Sequence, residues 1–289
     1  MTLVKFLFLF IVRAHKPCKV AHTFGEGGRM KIKSLIQRTA TLFSVVFFFS
    51  GVERIFARAQ GEWELISSYT TYYNEEERAR SENIAIAVSL IDNLVVQAYG
   101  EFSFNQTVGR RTAEAGFQSA KIIVNGEYAL GVGGGVCQVS TTLYNAALKS
   151  GLEVLEYHPH SLRVNYVPPS RDAMVSSQSD LKLFNAHGYA VRLRATVRDG
   201  SVRVAFYGKN EGDRYEITSV MLAEIPPPPP IVKVGETDGF LREPKNGVQS
   251  EAYIERYRGN ALLSKKRLRK DEYRPIQGVL VKKNENPTE

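Results

Sequence analysis

Cys137 closes a glycine-rich run, Gly131-Val132-Gly133-Gly134-Gly135-Val136-Cys137, and a helical pattern follows it at once. A thiol attacks as its thiolate, and the N-terminus of a helix favours that anion through unpaired N–H groups and the macrodipole. Gly133, Gly134 and Gly135 permit positive φ and let a ligand approach the backbone closely. The same N–H groups suit the oxyanion of a tetrahedral intermediate. This is the strand–turn–helix logic of a nucleophile elbow. A phosphate-cradling turn, or a glycine cluster packed around an inert thiol, is the competing reading.

Such a nucleophile needs a base. Beyond residue 59 the histidines are His158, His160 and His187. His158-Pro159-His160-Ser161 follows the cysteine helix closely, and on a strand residues 158 and 160 would share a face. Either can pair with the thiol. His187, in Asn185-Ala186-His187-Gly188, reads as a solvated loop residue. Asn105, Arg110, Arg111, Tyr166, Arg171 and Asp172 are further polar candidates: Arg110 or Arg171 to clamp a substrate carboxylate, Asp172 to orient a histidine. Two histidines without an evident third ligand argue against a metal site, and no cofactor is expected.

The compartment bears on the thiol. Met30-Lys31-Ile32-Lys33 and Arg38 precede an apolar run from Ala40 through Phe47-Phe48-Phe49 to Val52, and Ala57-Arg58-Ala59 offers an A-x-A cleavage site. A basic start, a short apolar stretch and small residues at the cut read as a secretory signal, with an uncleaved anchor as the rival. Met30 is the expected start, ahead of Met1. Of the two cysteines, Cys18 falls in this region, so Cys137 stands alone in an oxidising compartment and forms no internal disulfide. The formal net charge of +8 favours anionic surroundings. No zinc finger, RNA-binding signature or long basic helix accompanies it, so nucleic acid is not an expected partner.

The elements that must position these residues read as α+β: mixed or antiparallel sheet with two main helices, then a small all-β module. Glu62 to Tyr73 reads as strand and loop. Glu75 to Asn93 reads as a helix, with the glutamates in its first turn and Ile84, Val88 and Ile91 at helical spacing. Phe102 to Phe104 and Lys121 to Val124 are short strands, and Asn125-Gly126 marks a hairpin. Gln138 to Lys149 is the second helix, closed by Gly151. Val154 to Tyr157, Leu162 to Val167, Val191 to Arg198 and Val202 to Phe206 are strand candidates, the last two joined at Asp199-Gly200. The expected division is 1–59 extension and signal or anchor, 62–210 main domain, 211–238 linker around Pro226 to Pro230, 239–283 β-rich module and 284–289 disordered tail.

Phe102-Ser103-Phe104-Asn105, Thr107-Val108-Gly109, Arg111-Thr112, Gly133 through Asn145, His158-Pro159-His160-Ser161, Tyr166-Val167-Pro168 and Arg171-Asp172-Ala173 closely resemble the VanW domain over residues 62–210. The C-terminal residues resemble, more weakly, the β-rich wall-binding module that often follows it. Ser170 stands where glycine is more usual. The family is named for an accessory gene of glycopeptide resistance and has been linked to L,D-transpeptidase chemistry in peptidoglycan. The resemblance implies that Cys137 is the nucleophile and His160 the base, with His158 second. It implies that Gly133, Gly134, Gly135, Gln138, Ser140, Ser161, Tyr166, Arg171 and Asp172 meet the substrate. It also implies an extracytoplasmic, wall-associated protein whose partners are peptidoglycan stem peptides and, secondarily, anionic wall polymer, with the membrane reached only through an uncleaved anchor. The better-known L,D-transpeptidase motif places its histidine before the cysteine, so a shared fold with that class does not follow. The alternatives are a non-catalytic wall-binding protein and, disfavoured for want of a resolving cysteine, a thiol-redox role.

Overall fold

The computed structural model describes residues 63–124 and 126–283. The signal or anchor read in residues 1–59 and the tail at 284–289 lie outside the described residues. Among the described residues no helix is long and apolar enough to cross a membrane.

Strand β1 (Glu64–Tyr72) leads into helix α1 (Arg78–Ile91), strands β2 (Val95–Val96) and β3 (Glu101–Ser103), and the short helix α2 (Phe104–Val108). A hairpin of β4 (Ser119–Val124) and β5 (Glu127–Val132) precedes helix α3 (Val136–Lys149). Strands β6 (Glu153–Glu156), β7 (Lys182–Phe184), β8 (Val191–Arg198) and β9 (Ser201–Gly208) follow. They assemble as an antiparallel sheet β1-β9-β8-β2, a second sheet β3-β7-β6, and the β4-β5 pair. Asp199 and Gly200 both take positive φ at the β8–β9 turn, the geometry that a two-residue hairpin of this twist requires.

Helix α1 starts at Arg78, so Glu75, Glu76 and Glu77 precede the helix instead of filling its first turn. The Asn74 side chain accepts from the Glu76 N–H and holds a turn there. Ile84, Ala87, Val88 and Ile91 are buried as the spacing predicts, and Asn93 leaves the helix at φ +62°. Helix α3 is buried nearly all round, packing on β1 and β9. It ends in a Schellman turn: Leu152 N–H donates to Ala147 C=O and Gly151 N–H to Leu148 C=O, with Gly151 at φ +78°. Phe104 begins α2 and does not extend β3.

Leu162 to Val167 form no strand. The whole segment from 157 to 181 is irregular, although Leu162 and Val164 are buried and Arg163 and Asn165 exposed, as in a strand. Its backbone is bound by side chains of α3 and of later strands and by other loops, not by a strand ladder. An ordered connection this long is uncommon in a compact domain and commonly functional.

Beyond residue 210, β10 (Asp213–Ile225), β11 (Ile231–Gly235) and β12 (Gly239–Arg242) are followed by β13 (Gly247–Arg258), β14 (Ala261–Tyr273) and β15 (Val279–Lys283). The span 211–238, read as a linker, thus holds two strands on either side of Pro226 to Pro230. The sheet β10-β13-β14 is antiparallel, and β11 pairs parallel with β15 in the sheet β11-β15-β12. Ile217, Ile254 and Leu268 of the first sheet pack on the same core as α3. On the described residues the chain is broadly α+β, mainly sheet with three helices.

Candidate active site

The glycine turn is fixed from three sides. Gly133 and Gly135 sit at φ +87° and +108°. A Cβ on Gly134 would lie 2.7 Å from the Lys121 carbonyl oxygen, so no side chain fits there. The buried Asn83 of α1 bolts the turn in place: its Nδ2 donates to Gly134 C=O and Gln118 C=O, both at 2.9 Å, and its Oδ1 accepts from Gln118 N–H at 2.7 Å. Cys137 is then the second residue of α3, half-buried, with its thiol 3.3 Å from the Val175 carbonyl oxygen. The N–H groups of Val136 and Gln138 go to Gly133 and Gly135 carbonyls; none of the described residues takes that of Cys137.

His160 is buried, and its Nδ1 and its backbone N–H each lie 2.7 Å from Asp172 Oδ2. A carboxylate only accepts, so Nδ1 carries a proton and Nε2 is left for the thiol. Burial favours the neutral ring, yet Asp172 and then Cys137 overcome it and raise His160 to about 9. Burial pushes the Cys137 thiol up, but hydrogen bonding to and the charge of His160, a backbone hydrogen bond at Val175 and the charge of Arg111 leave it below its ordinary value. Burial raises Asp172, and His160 with Arg269 hold it below the usual carboxylate range. Cys137, His160 and Asp172 thus stand in series, an order that can serve as nucleophile, base and orienter.

Helix α3 holds the aspartate. Ser140 Oγ donates to Ala173 C=O at 2.6 Å, and Thr141 Oγ1 accepts from Ala173 N–H at 2.9 Å. Asn145 donates to Arg171 C=O and accepts from Arg171 Nε. One helix thus carries the cysteine and, through its buried polar side chains, clamps the residues on both sides of Asp172. Arg269 and Tyr273 of β14 reach Asp172 from the other side.

The thiol opens into a cleft of about 1500 Å³. Gly133, Gly134, Gly135, Gln138, His160 and Tyr166 line it. Other expected site residues lie elsewhere. His158 and His160 do not share a face: His158 pairs with Glu156 at 3.0 Å, away from the cleft. Ser140 is fully buried, Asp172 is spent on His160, and Ser161 is absent from the cleft wall. Arg171 is no carboxylate clamp, since it binds Asn145 and lies over the Tyr69 ring. Gln138 is also committed, to Thr71, the Tyr72 carbonyl and Arg80. Arg111 binds Asn105 and the Gly109 carbonyl at the cleft wall, and His187 Nε2–H donates to the Ser150 carbonyl, away from the cleft. Asn83, Arg269 and Tyr273 were not singled out from sequence; an asparagine within an apolar helix stripe was the one available signal. Among the described residues no three of His, Cys, Asp and Glu cluster as a metal site requires.

Residues 79–207 match the family model described as VanW like protein. Over 146 residues the chain is 43% identical to the uncharacterized protein YoaR of Bacillus subtilis (strain 168), covering 50% of this chain and 48% of that protein. The chain therefore spans about half the length of that curated relative. A solved structure, HP0197-G5, aligns with 24% of this chain and 96% of its own at 15% identity, with a TM-score of 0.15.

Proposed function

With a VanW-family domain at residues 79–207 as the premise, we propose that Cys137 is the nucleophile of an acyl transfer on peptidoglycan stem peptides, outside the cytoplasmic membrane. The observation that carries this reading is the Cys137–His160–Asp172 series at the wall of an open cleft. The thiolate attacks the carbonyl of the bond between an L-centre and D-Ala. The oxyanion forms beside the Cys137 N–H at the start of α3. His160 gives its Nε2 proton to the D-Ala amine, the C–N bond breaks, and a thioester remains. The side-chain amine of a second stem then attacks the thioester, His160 takes the amine's proton, and the thiolate leaves with a 3→3 cross-link made.

The charge of the cleft supports a donor rich in carboxylates. Arg110, Arg111, Lys121, Arg163, Lys245 and Arg274 line it, against Glu77 and Glu224. Cations around a partly enclosed cleft concentrate an anionic substrate and speed its capture.

The test is intact-protein mass spectrometry after incubation with disaccharide-tetrapeptide, beside Cys137→Ala. A Cys137-dependent acyl adduct with dimeric muropeptide supports the reading. No adduct from folded protein with a reactive thiol replaces it with a non-catalytic peptidoglycan-binding role.

A further inference from the structure

Asp172 receives five hydrogen bonds, four at its carboxylate and one at its backbone carbonyl, and they come from two distant parts of the chain. Its Oδ2 takes the N–H and Nδ1–H of His160. Its Oδ1 takes the Tyr273 hydroxyl, with Arg269 Nη2 at 3.3 Å, and its backbone carbonyl takes Arg269 Nη1 at 2.5 Å. Tyr273 and Arg269 both lie on β14, beyond the matched domain. The Tyr273 hydroxyl also accepts the Ser170 N–H at 2.7 Å, which leaves its own hydrogen directed at the carboxylate. Arg269 is held in turn by Asp271 at 2.6 Å and lies 4.6 Å from the Tyr157 ring centre. Its side chain is wholly excluded from solvent.

A β-bulge makes this reach happen. Ala252 pairs with Arg269 and Tyr253 with Arg267, so Leu268 is an extra residue on β14. One extra residue reverses the alternation: Arg267 is 59% exposed, whereas Arg269, Asp271 and Tyr273 turn inward. Bulges beside active sites commonly re-aim side chains in this way.

We infer that Tyr273 and Arg269 are positioning residues of the candidate site, holding the Asp172 carboxylate ionised and turned toward His160, so that β14 completes the site. The inference rests on the reading of Cys137 as a thiolate nucleophile. Around Asp172 the titratable groups are His160, Arg269, Tyr273, Tyr144, Tyr166 and, through Arg269, Asp271; around Cys137 they are His160, Arg111 and Tyr166. Without the Tyr273 hydroxyl, Asp172 binds a proton more readily and holds His160 less firmly against the thiol.

The experiment is the pH dependence of Cys137 alkylation by iodoacetamide on the full chain. In Tyr273→Phe the acid limb should move up by about half to one pH unit, slowing alkylation on that limb roughly 3- to 10-fold. Ile254→Ala, which loosens the same sheet away from Asp172, should lower the melting temperature and leave the limb in place. If Tyr273→Phe does not fold, Tyr273→3-fluorotyrosine, a stronger donor in the same packing, should move the limb down. An unmoved limb in the Tyr273 variant, or an equal movement in Ile254→Ala, overturns the inference alone. A wild-type thiol that titrates near 8.5 overturns the nucleophile reading as well.

Discussion

The two ends of the β13–β14 hairpin carry the same kind of chemistry in different surroundings. At the outer end Arg256 and Arg258, 41% and 59% exposed, converge on Asp213. At the inner end Arg269, fully buried, sits between Asp172 and Asp271. Water screens the outer pairs and competes for their hydrogen bonds, so they add little. Burial removes that competition, so the inner cluster is held rigidly and is costly to break. Both ends hold arginine–aspartate pairs, and only the inner end has the geometric constraint that a catalytic orienter needs.

The largest contrast is expected from arginine removal at each end. Arg269→Met strands two buried carboxylates and should destabilise the protein by about 3–5 kcal/mol in thermal or urea unfolding. Arg256→Ala should cost no more than about 1 kcal/mol, and less as salt is raised. A similar cost at both ends would break the comparison.

Asp172→Asn comes next. It keeps the shape but takes the negative charge from His160, and acyl transfer should fall roughly 10²- to 10⁴-fold with the fold retained. Steady-state rates beside a circular-dichroism melt would show it. Glu156→Gln, which removes the partner of the half-exposed His158, should leave the rate within about twofold of wild type, as expected for a surface pair.

Stability should track pH through the same residues. His160 is raised in the folded protein, so its contribution is complete below its unfolded value of about 6.5 and is lost as pH rises through about 9. Asp172 is depressed, so its contribution is present above its unfolded value of about 4 and is lost as pH falls toward its folded one. Melting temperature should fall on both sides of a plateau between about pH 4 and 6.5, and His160→Asn should remove much of the alkaline fall.

The smallest effect sharpens the inner end. Ser170 takes φ +58°, which glycine adopts without strain, and its hydroxyl meets that of Ser250 at 2.7 Å in a buried pair. Ser170→Gly trades the bond for relief of strain and should change stability by less than about 1 kcal/mol. Ser250→Ala leaves the Ser170 hydroxyl without a side-chain partner and should cost about 1–3 kcal/mol.

What the sequence showed was local. The glycine turn, Gly151 and the Asp199-Gly200 hairpin are written in neighbouring residues and stand where the pattern placed them, while α3 starts at Val136, two residues before the expected Gln138. Leu162 to Val167 misled because alternating burial does not require a ladder partner. Arg171 reads as a substrate clamp because its charge shows in sequence and its buried partners do not, and Ser140, which the resemblance implies as a contact, is likewise buried. Arg269 was invisible for a sharper reason. In Lys265-Lys266-Arg267-Leu268-Arg269-Lys270 nothing separates it from its neighbours, and only the bulge at Leu268 turns it inward.

The central claim is that Cys137 and His160 exist as a thiolate–imidazolium pair set by Asp172. The most direct measurement is a ¹⁵N NMR titration of the histidine rings, with His160→Asn assigning the signal and Cys137→Ala removing the anion. The account predicts that His160 stays doubly protonated through neutral pH, deprotonates near 9, and titrates at lower pH in Cys137→Ala. A His160 signal that titrates near 6.5 in both proteins would contradict it.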